Sequence, residues 1–166
     1  MEDPNLLTKR PVGSISHADA KMNAAALNSL LANEFTLFTK TLNYHWNVTG
    51  PRFHSLHNFL EEQYHELLEV MDRIAERVRV LDEVPISTVE KMNSCKEIKE
   101  NNGSSLTSSQ MMEDLLQTNL YIQESIKNTV SSNKHLGKDP GTEDFLVGLL
   151  QKHEMISWKM KSHLVY

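Results

Sequence analysis

Cysteine, excess positive charge and long apolar runs are all scarce in this chain of 166 residues. The single cysteine, Cys95, cannot form a disulfide within the chain, so nothing indicates an oxidising compartment. Lys and Arg number 17 against 22 Asp and Glu, which gives a formal net charge of −5. That balance argues against the global positive field of a dedicated nucleic-acid-binding module.

No apolar run approaches the roughly 20 residues that a helix needs to cross a bilayer, so we expect no membrane partner. The opening residues, MEDPNLLTKR, begin with acidic side chains and lack the apolar segment of a secretory signal. Apolar residues make up 39% of the chain and charged residues 23%, as in folded domains rather than disordered ones. The sequence therefore predicts a cytoplasmic globular protein.

Glycine and proline interrupt the chain at only a few places and leave long windows at 14–49, 52–84, 104–136 and 142–166. Each window has room for a helix of about 20 residues or more, and none shows the alternation of a strand. In the second window, apolar side chains recur at spacings of three and four residues along about eight helical turns. They are Phe53, Leu56, Leu60, Tyr64, Leu67, Met71, Ile74, Val78 and Leu81. We therefore predict four long helices.

The helix ends and connections suggest how these helices are joined. Thr107 followed by Gln110 is a capping box that starts the third helix, and Thr142 is the expected start of the fourth. Residues 82–106 form a long connection, in which 86–92 is predicted to be a short helix. The sequence predicts an all-α four-helix bundle with one long crossover connection, in which 1–20 is a tail and 21–166 is the domain.

Histidines and carboxylates are concentrated around the second window, and mixed ligands of this kind suit iron or zinc. His45 and His57 lie symmetrically about the Gly50–Pro51 break. If the first two helices form an antiparallel hairpin there, the two imidazoles lie at the same height and face one another. Taken singly, His45 is equally well explained as the polar end of a helix.

Two half-sites follow along the second helix. His57 and Glu61 are four residues apart, and so are Asp72 and Glu76. All four share one face, yet Glu61 and Asp72 are separated by roughly 16 Å along the axis, too far for one metal ion. The positions of the two half-sites are symmetric about a point between residues 66 and 67, since 57 and 76 are equidistant from it and so are 61 and 72. An antiparallel copy of the helix across a two-fold axis would bring each half-site opposite its complement.

Two alternatives stay open on the residues alone. Acidic residues at helical spacing also form solvated faces, with Arg73 and Arg77 available to pair with neighbouring carboxylates. A di-iron centre inside the bundle would instead need Glu-x-x-His on two helices. Glu62-x-x-His65 supplies one such element and the chain contains no second.

The residues around these ligands resemble those of the Dps family, the mini-ferritins described as DNA-binding proteins from starved cells. The resemblance rests on YHWNVTGPRFHSLHNFLEE, on MDRIAERVRVL and on the ending DPGTEDFLVGLLQKHEMISWKMKSHL. It covers most of the chain and implies a ferritin-like subunit that assembles into a hollow homo-dodecamer. It also implies ferroxidase centres at two-fold interfaces, each with two iron positions. The ligands implied for each centre are His45, His57 and Glu61 of one subunit with Asp72 and Glu76 of its neighbour.

The resemblance further implies the chemistry: Fe(II) oxidised preferentially by hydrogen peroxide, two Fe(II) for each peroxide, with the mineral stored in the shell. Trp46, beside His45, would donate electrons to radical intermediates or act as an apolar anchor. His54 and His65 are accessory ligands or surface groups, and Asp139 and Asp144 are pore carboxylates or helix-start charges. His153, on the apolar stripe of the last helix, is expected to be a core histidine with satisfied hydrogen bonds.

Two features depart from the family pattern. The family usually has Asp where this chain has Glu61, and the extra methylene moves the carboxylate outward by about one bond length. The best-known DNA-compacting members carry a lysine-rich tail, whereas residues 1–20 contain only Lys9 and Arg10 as cations besides their acidic groups. Affinity for duplex DNA rests mainly on phosphate neutralisation, so a DNA-protecting shell without ferroxidase activity is the alternative function. A cage that binds zinc without redox chemistry is a third.

Overall fold

The computed structural model describes residues 15–100 and 106–164, and all regular structure in these ranges is helical. The five α-helices are α1 (His17–Asn47), α2 (Phe53–Val80), α3 (Val89–Cys95), α4 (Ser108–Ser132) and α5 (Pro140–Leu164). A single 3-10 turn, Leu136–Lys138, precedes α5. The predicted all-α architecture of four long helices with a short helix in the connection is confirmed.

The four long helices form two antiparallel hairpins, α1 with α2 and α4 with α5, and α1 packs on α4 between them. Each helix buries one apolar stripe in the common core. On α2 the buried stripe is the predicted one at Leu56, Leu60, Leu67, Ile74 and Val78. Phe53 departs from the prediction, because its side chain is 46% exposed at the first residue of the helix.

The crossover connection is fastened to α1 by two asparagine side chains. The Oδ1 atom of Asn28 accepts a hydrogen bond from the Ile86 N–H at 2.9 Å, and the Oδ1 atom of Asn33 accepts one from Glu97 at the same distance. Irregular backbone has no helical partners, so these amides supply the acceptors that it needs. The short helix within the connection begins at Val89, three residues later than the predicted start of 86–92, because Thr88 caps it.

The start of α1 corrects the predicted boundary between tail and domain. Ser16 is the N-cap of α1, and its hydroxyl accepts a hydrogen bond from the Asp19 N–H at 3.1 Å. Asp19 and Ala20 are buried, so positions 17–20 belong to the bundle and not to the tail. The remainder of the predicted tail, 1–14, lies outside the described residues.

The start of α5 is also two residues earlier than predicted. Asp139 takes the N-cap position in place of Thr142, whose N–H it accepts at 3.1 Å. The same carboxylate pairs with Arg77 at 3.0 Å and accepts a hydrogen bond from Asn23 at 3.2 Å. Asp139 is therefore buried in structural contacts within the subunit, whereas Asp144 is exposed. The capping box predicted at Thr107 and Gln110 is confirmed.

A fully buried polar group lies at the centre of the bundle. The Nδ1 atom of His153 lies 2.5 Å from the Asn119 amide oxygen, and its Nε2 atom lies 2.8 Å from a carboxylate oxygen of Glu34. The Asn119 oxygen only accepts, so Nδ1 carries a proton. The prediction of a core histidine with satisfied hydrogen bonds is confirmed for Nδ1 and not for Nε2, which lies close to Glu34 without hydrogen-bond geometry.

None of the helices in 15–100 and 106–164 combines the length and the apolar character that a bilayer-crossing segment requires.

Asp139→Ala should lower the free energy of unfolding by about 2 kcal/mol or more, because it removes a helix cap and leaves Arg77 without its carboxylate. Asp144→Ala, at an exposed position of the same helix, should change it by less than about 0.5 kcal/mol. Denaturant titration followed by circular dichroism measures both. Equal losses in the two variants would contradict the structural role of Asp139.

Asp19 should make stability depend on acidity. Hydrogen bonds from Ser16 and His135 lower the pKa of Asp19 from 3.8 to about 2. Because the pKa is lower in the folded chain, the ionised carboxylate stabilises the fold above its ordinary pKa, and this contribution is lost as the pH falls toward 2. Thermal midpoints measured between about pH 4 and pH 2 should fall less in Asp19→Asn than in the natural chain. Parallel profiles would contradict this assignment.

Candidate metal centre

The hairpin between α1 and α2 brings two imidazole rings into contact. The rings of His45 and His57 are stacked with their centroids 3.9 Å apart and their planes at 24°. Gly50 makes this close return possible, because its φ of 101° lies in the left-handed region that other residues rarely adopt. The predicted juxtaposition of His45 and His57 is therefore confirmed.

Two reciprocal hydrogen bonds hold these rings. The Nδ1 atom of His45 donates to the carbonyl oxygen of His57 at 3.0 Å, and the Nδ1 atom of His57 donates to the carbonyl oxygen of His45 at 2.9 Å. A carbonyl only accepts, so in each neutral ring Nδ1 carries the proton and Nε2 keeps a lone pair. Fixing one ring nitrogen in this way is the usual preparation of a metal-binding histidine.

A partly buried ionic network supports the helix turn that carries His45. The Tyr44 hydroxyl donates to the Asp114 carboxylate at 2.5 Å, and Lys40 forms an ion pair with the same carboxylate at 2.9 Å. Burial and the adjacent negative charge raise the pKa of Tyr44 above its ordinary value of 10.0, so the phenol stays protonated as a donor. The network joins α1 to α4 at the residue before His45.

The three candidate carboxylates lie on the outer face of α2. Glu61, Asp72 and Glu76 are all exposed, and within the described ranges none of them forms an ion pair. Arg77 pairs instead with Asp139, and the Arg73 guanidinium lies 5.5 Å from the centre of the Phe145 ring. The alternative of a salt-bridged solvated face therefore does not describe these carboxylates.

One subunit does not complete a metal site from these residues. Asp72 is 15 residues beyond His57, which corresponds to roughly 22 Å along a helix. Among the residues that the structure describes, no group of three or more His, Cys, Asp and Glu side chains is placed to hold a metal ion. Glu62 and His65 are exposed, so they do not form half of a centre inside the bundle.

Large apolar side chains are exposed on the same helix. Leu68 is 52% exposed between the two half-sites, and Phe53 and Val80, at the two ends of α2, are 46% and 37% exposed. Leu68 lies about 20° around the helix from His57, on the face that carries the half-sites, whereas Phe53 and Val80 point to opposite sides of α2. An exposed apolar group on the face of the candidate ligands favours a protein contact there.

Other side chains near the rings divide into contacting and remote groups. Trp46 is 69% exposed, and His54 and His65 are also exposed. Tyr64, a residue of the predicted apolar stripe, has its ring centroid 5.2 Å from that of His45. Its spacing in the stripe gave no sign of this contact, which depends on how closely α1 and α2 approach.

Comparison with known proteins agrees with this architecture. Residues 24–166 match the family model of the ferritin-like domain. The chain is 38% identical over 138 residues to an uncharacterized low temperature-induced protein of Nostoc sp., which covers 83% of this chain and 77% of that protein. It is 33% identical to general stress protein 20U of Bacillus subtilis, with 84% and 94% covered.

Solved structures show the same fold. The Dps protein of Vibrio cholerae, described as a member of a superfamily of ferritin-like diiron-carboxylate proteins, superposes with a TM-score of 0.85 at 25% identity. That match covers 93% of this chain and 98% of the other. Dps from Staphylococcus aureus superposes with a TM-score of 0.80 at 30% identity, with 87% and 95% covered. Taken with the stacked histidines and the mirrored carboxylates, these matches show that the chain belongs to the Dps family of ferritin-like proteins.

Proposed function

We propose that this protein oxidises Fe(II) at centres shared between two subunits and stores the resulting Fe(III) inside a shell. The observation that carries the proposal is the mirrored order of candidate metal ligands on the outer face of α2. His57 and Glu61 at one end of that face have their complements, Asp72 and Glu76, at the other. A two-fold axis near the middle of α2 places His57 opposite Glu76 of the partner subunit and Glu61 opposite Asp72 of the partner subunit.

The exposed side chain of Leu68 supports the same pairing. The two-fold axis that joins the half-sites also places Leu68 of each subunit close to the axis, where burying it is favourable. Each interface then contains two identical centres, one at each end of the paired helices, because an isologous contact repeats every interaction. The interface and the metal site are therefore specified by the same symmetry.

The ligand set suits iron as substrate. The Nε2 atoms of His45 and His57 and the three carboxylates offer the mixed nitrogen and oxygen donors that bind Fe(II). Anionic carboxylate oxygens favour the harder Fe(III), so they make the loss of an electron easier. Two adjacent iron positions would allow one hydrogen peroxide to accept two electrons at once and yield two water molecules, which avoids hydroxyl radical.

The assembly that would store the product is a homo-dodecamer in the cytoplasm. Family membership supports a closed shell, and a relative in Helicobacter pylori is named DNA protection during starvation protein. For this chain, a net charge of −5 per subunit disfavours a DNA-compacting role. We therefore propose protection through removal of Fe(II) and peroxide.

Complementation between two inactive variants tests the shared centre. His57→Ala and Asp72→Ala should each abolish rapid Fe(II) oxidation by hydrogen peroxide, because each removes a ligand from every centre. When the two variants are co-expressed in equal amounts, about a quarter of all centres should be intact. About half of the interfaces are then mixed, and each mixed interface keeps one of its two centres with all its ligands. Stopped-flow absorbance of Fe(III) measures the recovery.

A centre built within one subunit gives a different result. In that case no combination of the two variants restores activity, because every subunit lacks one ligand. Glu113→Ala, which changes an exposed acid on α4, serves as the matched control and should retain the full rate. Retention of the full rate by both His57→Ala and Asp72→Ala would reject the proposed centre.

A further inference from the structure

A glutamate and a histidine face each other inside the bundle with polar atoms that have no partner. Glu34 on α1 and His153 on α5 are both fully buried, with side-chain exposures of 0%. The Nε2 atom of His153 lies 2.8 Å from Oε1 of Glu34 without hydrogen-bond geometry. Neither carboxylate oxygen of Glu34 has a hydrogen-bond partner among the described residues. Burying such atoms without partners is strongly unfavourable, so they point to a ligand that the chain itself does not supply.

The protonation of the His153 ring follows from the amide of Asn119. The Nδ2 group of Asn119 donates to the carbonyl oxygen of His153 at 2.8 Å, and a carbonyl only accepts, so the orientation of the amide is fixed. The amide oxygen therefore faces Nδ1 of His153, at 2.5 Å, and Nδ1 carries the proton. A neutral imidazole held in this way has its lone pair on Nε2, which is how metal-binding histidines are oriented.

The negative charge of Glu34 has no counter-charge from a basic side chain. Within the described ranges Glu34 forms no ion pair with a lysine or an arginine. A protonated Nε2 would need its N–H aimed at the carboxylate, which the observed geometry does not provide, and it would leave Oε2 without a partner. A cation between the two side chains satisfies the lone pair of Nε2 and the carboxylate together, because it requires no linear donor.

We propose that Glu34 and His153 bind a divalent transition-metal cation, with zinc as the representative ion, inside each subunit. A set of one imidazole nitrogen and carboxylate oxygens suits zinc and related ions, whereas calcium and magnesium prefer oxygen alone. Two donors at right angles, each about 2.1 Å from one cation, lie about 3.0 Å apart, close to the observed 2.8 Å. Water completes the coordination, and the ion joins α1 to α5.

This site is separate from the centre proposed for iron oxidation. Glu34 precedes His45 by 11 residues on α1, which corresponds to about 16 Å along the helix. The site also uses neither Glu62 nor His65, the Glu-x-x-His element of α2, and both of those side chains are exposed. Its expected effect is on the stability of the subunit, so the inference does not rest on the proposed function.

Zinc-dependent stability tests the site in the assembled protein. The double variant His57→Ala/Asp72→Ala removes ligands of the intersubunit centre and serves as the parent. After chelation, Zn(II) should raise the thermal midpoint of the parent by several degrees, and dialysis should retain about one zinc per chain. Adding Glu34→Gln should abolish both effects. Adding Glu113→Gln, which makes the same change at an exposed acid of α4, is the matched control and should abolish neither.

The chelated proteins give a second readout. Glu34→Gln removes a buried charge and places an amide donor beside Nε2, so without metal it should unfold at the same temperature as the parent or above it. An ordinary ion pair between Glu34 and His153 predicts the opposite result. Loss of stability on Glu34→Gln in chelator, with no effect of zinc on the parent, would overturn the proposal.

Crystals of the natural chain grown with Zn(II) locate the ion without any substitution. Data collected at the zinc absorption edge should show an anomalous difference peak between Glu34 and His153. A stabilising effect of zinc without a peak at this position, or one that survives Glu34→Gln, would show that the ion binds elsewhere and that the inference is wrong. None of these results bears on iron oxidation, because the two sites share no residue.

Discussion

The reciprocal hydrogen bonds between His45 and His57 are the constraint on which the rest of this structure depends. Each bond runs from a side chain of one helix to the main chain of the other, so ring orientation and helix approach are set together. The carbonyl of His45 lies in the last turn of α1, where carbonyl groups lack helical partners. The same contact therefore satisfies a helix end, closes the hairpin and leaves two Nε2 atoms with lone pairs.

Polar groups that stabilise the subunit are distinct from those proposed for function. Asp139 caps α5 and pairs with Arg77, and Asp114 accepts from Tyr44 and pairs with Lys40. These carboxylates have their partners within the chain. The acids on the outer face of α2 do not, within the described ranges, and a lone subunit leaves them solvated. Because these carboxylates without partners lie on the outer face of α2, they favour a ferroxidase centre between two bundles and not one inside a single bundle.

Local sequence patterns predicted the elements well where one strong signal decided them. Long windows without glycine or proline predicted the four helices, and the Thr107 capping box predicted the start of α4. The predictions failed where two local signals competed. Thr142 and Asp139 both suit a helix start, and Asp139 takes the cap because Arg77 and Asn23 also need its carboxylate. Phe53 fits the apolar spacing of α2, yet at the first turn the neighbouring helix no longer covers it.

The sequence by itself determined the spacing of the ligands, because helical geometry converts residue numbers into heights and angles. From that spacing came the mirrored half-sites and the opposed histidines at Gly50. Only the tertiary structure decided which carboxylates have partners, which nitrogen of each ring is protonated and which aromatic ring contacts His45. Those features depend on distances of a few ångströms between α1 and its neighbours, and such distances are set by core packing that no single helix encodes.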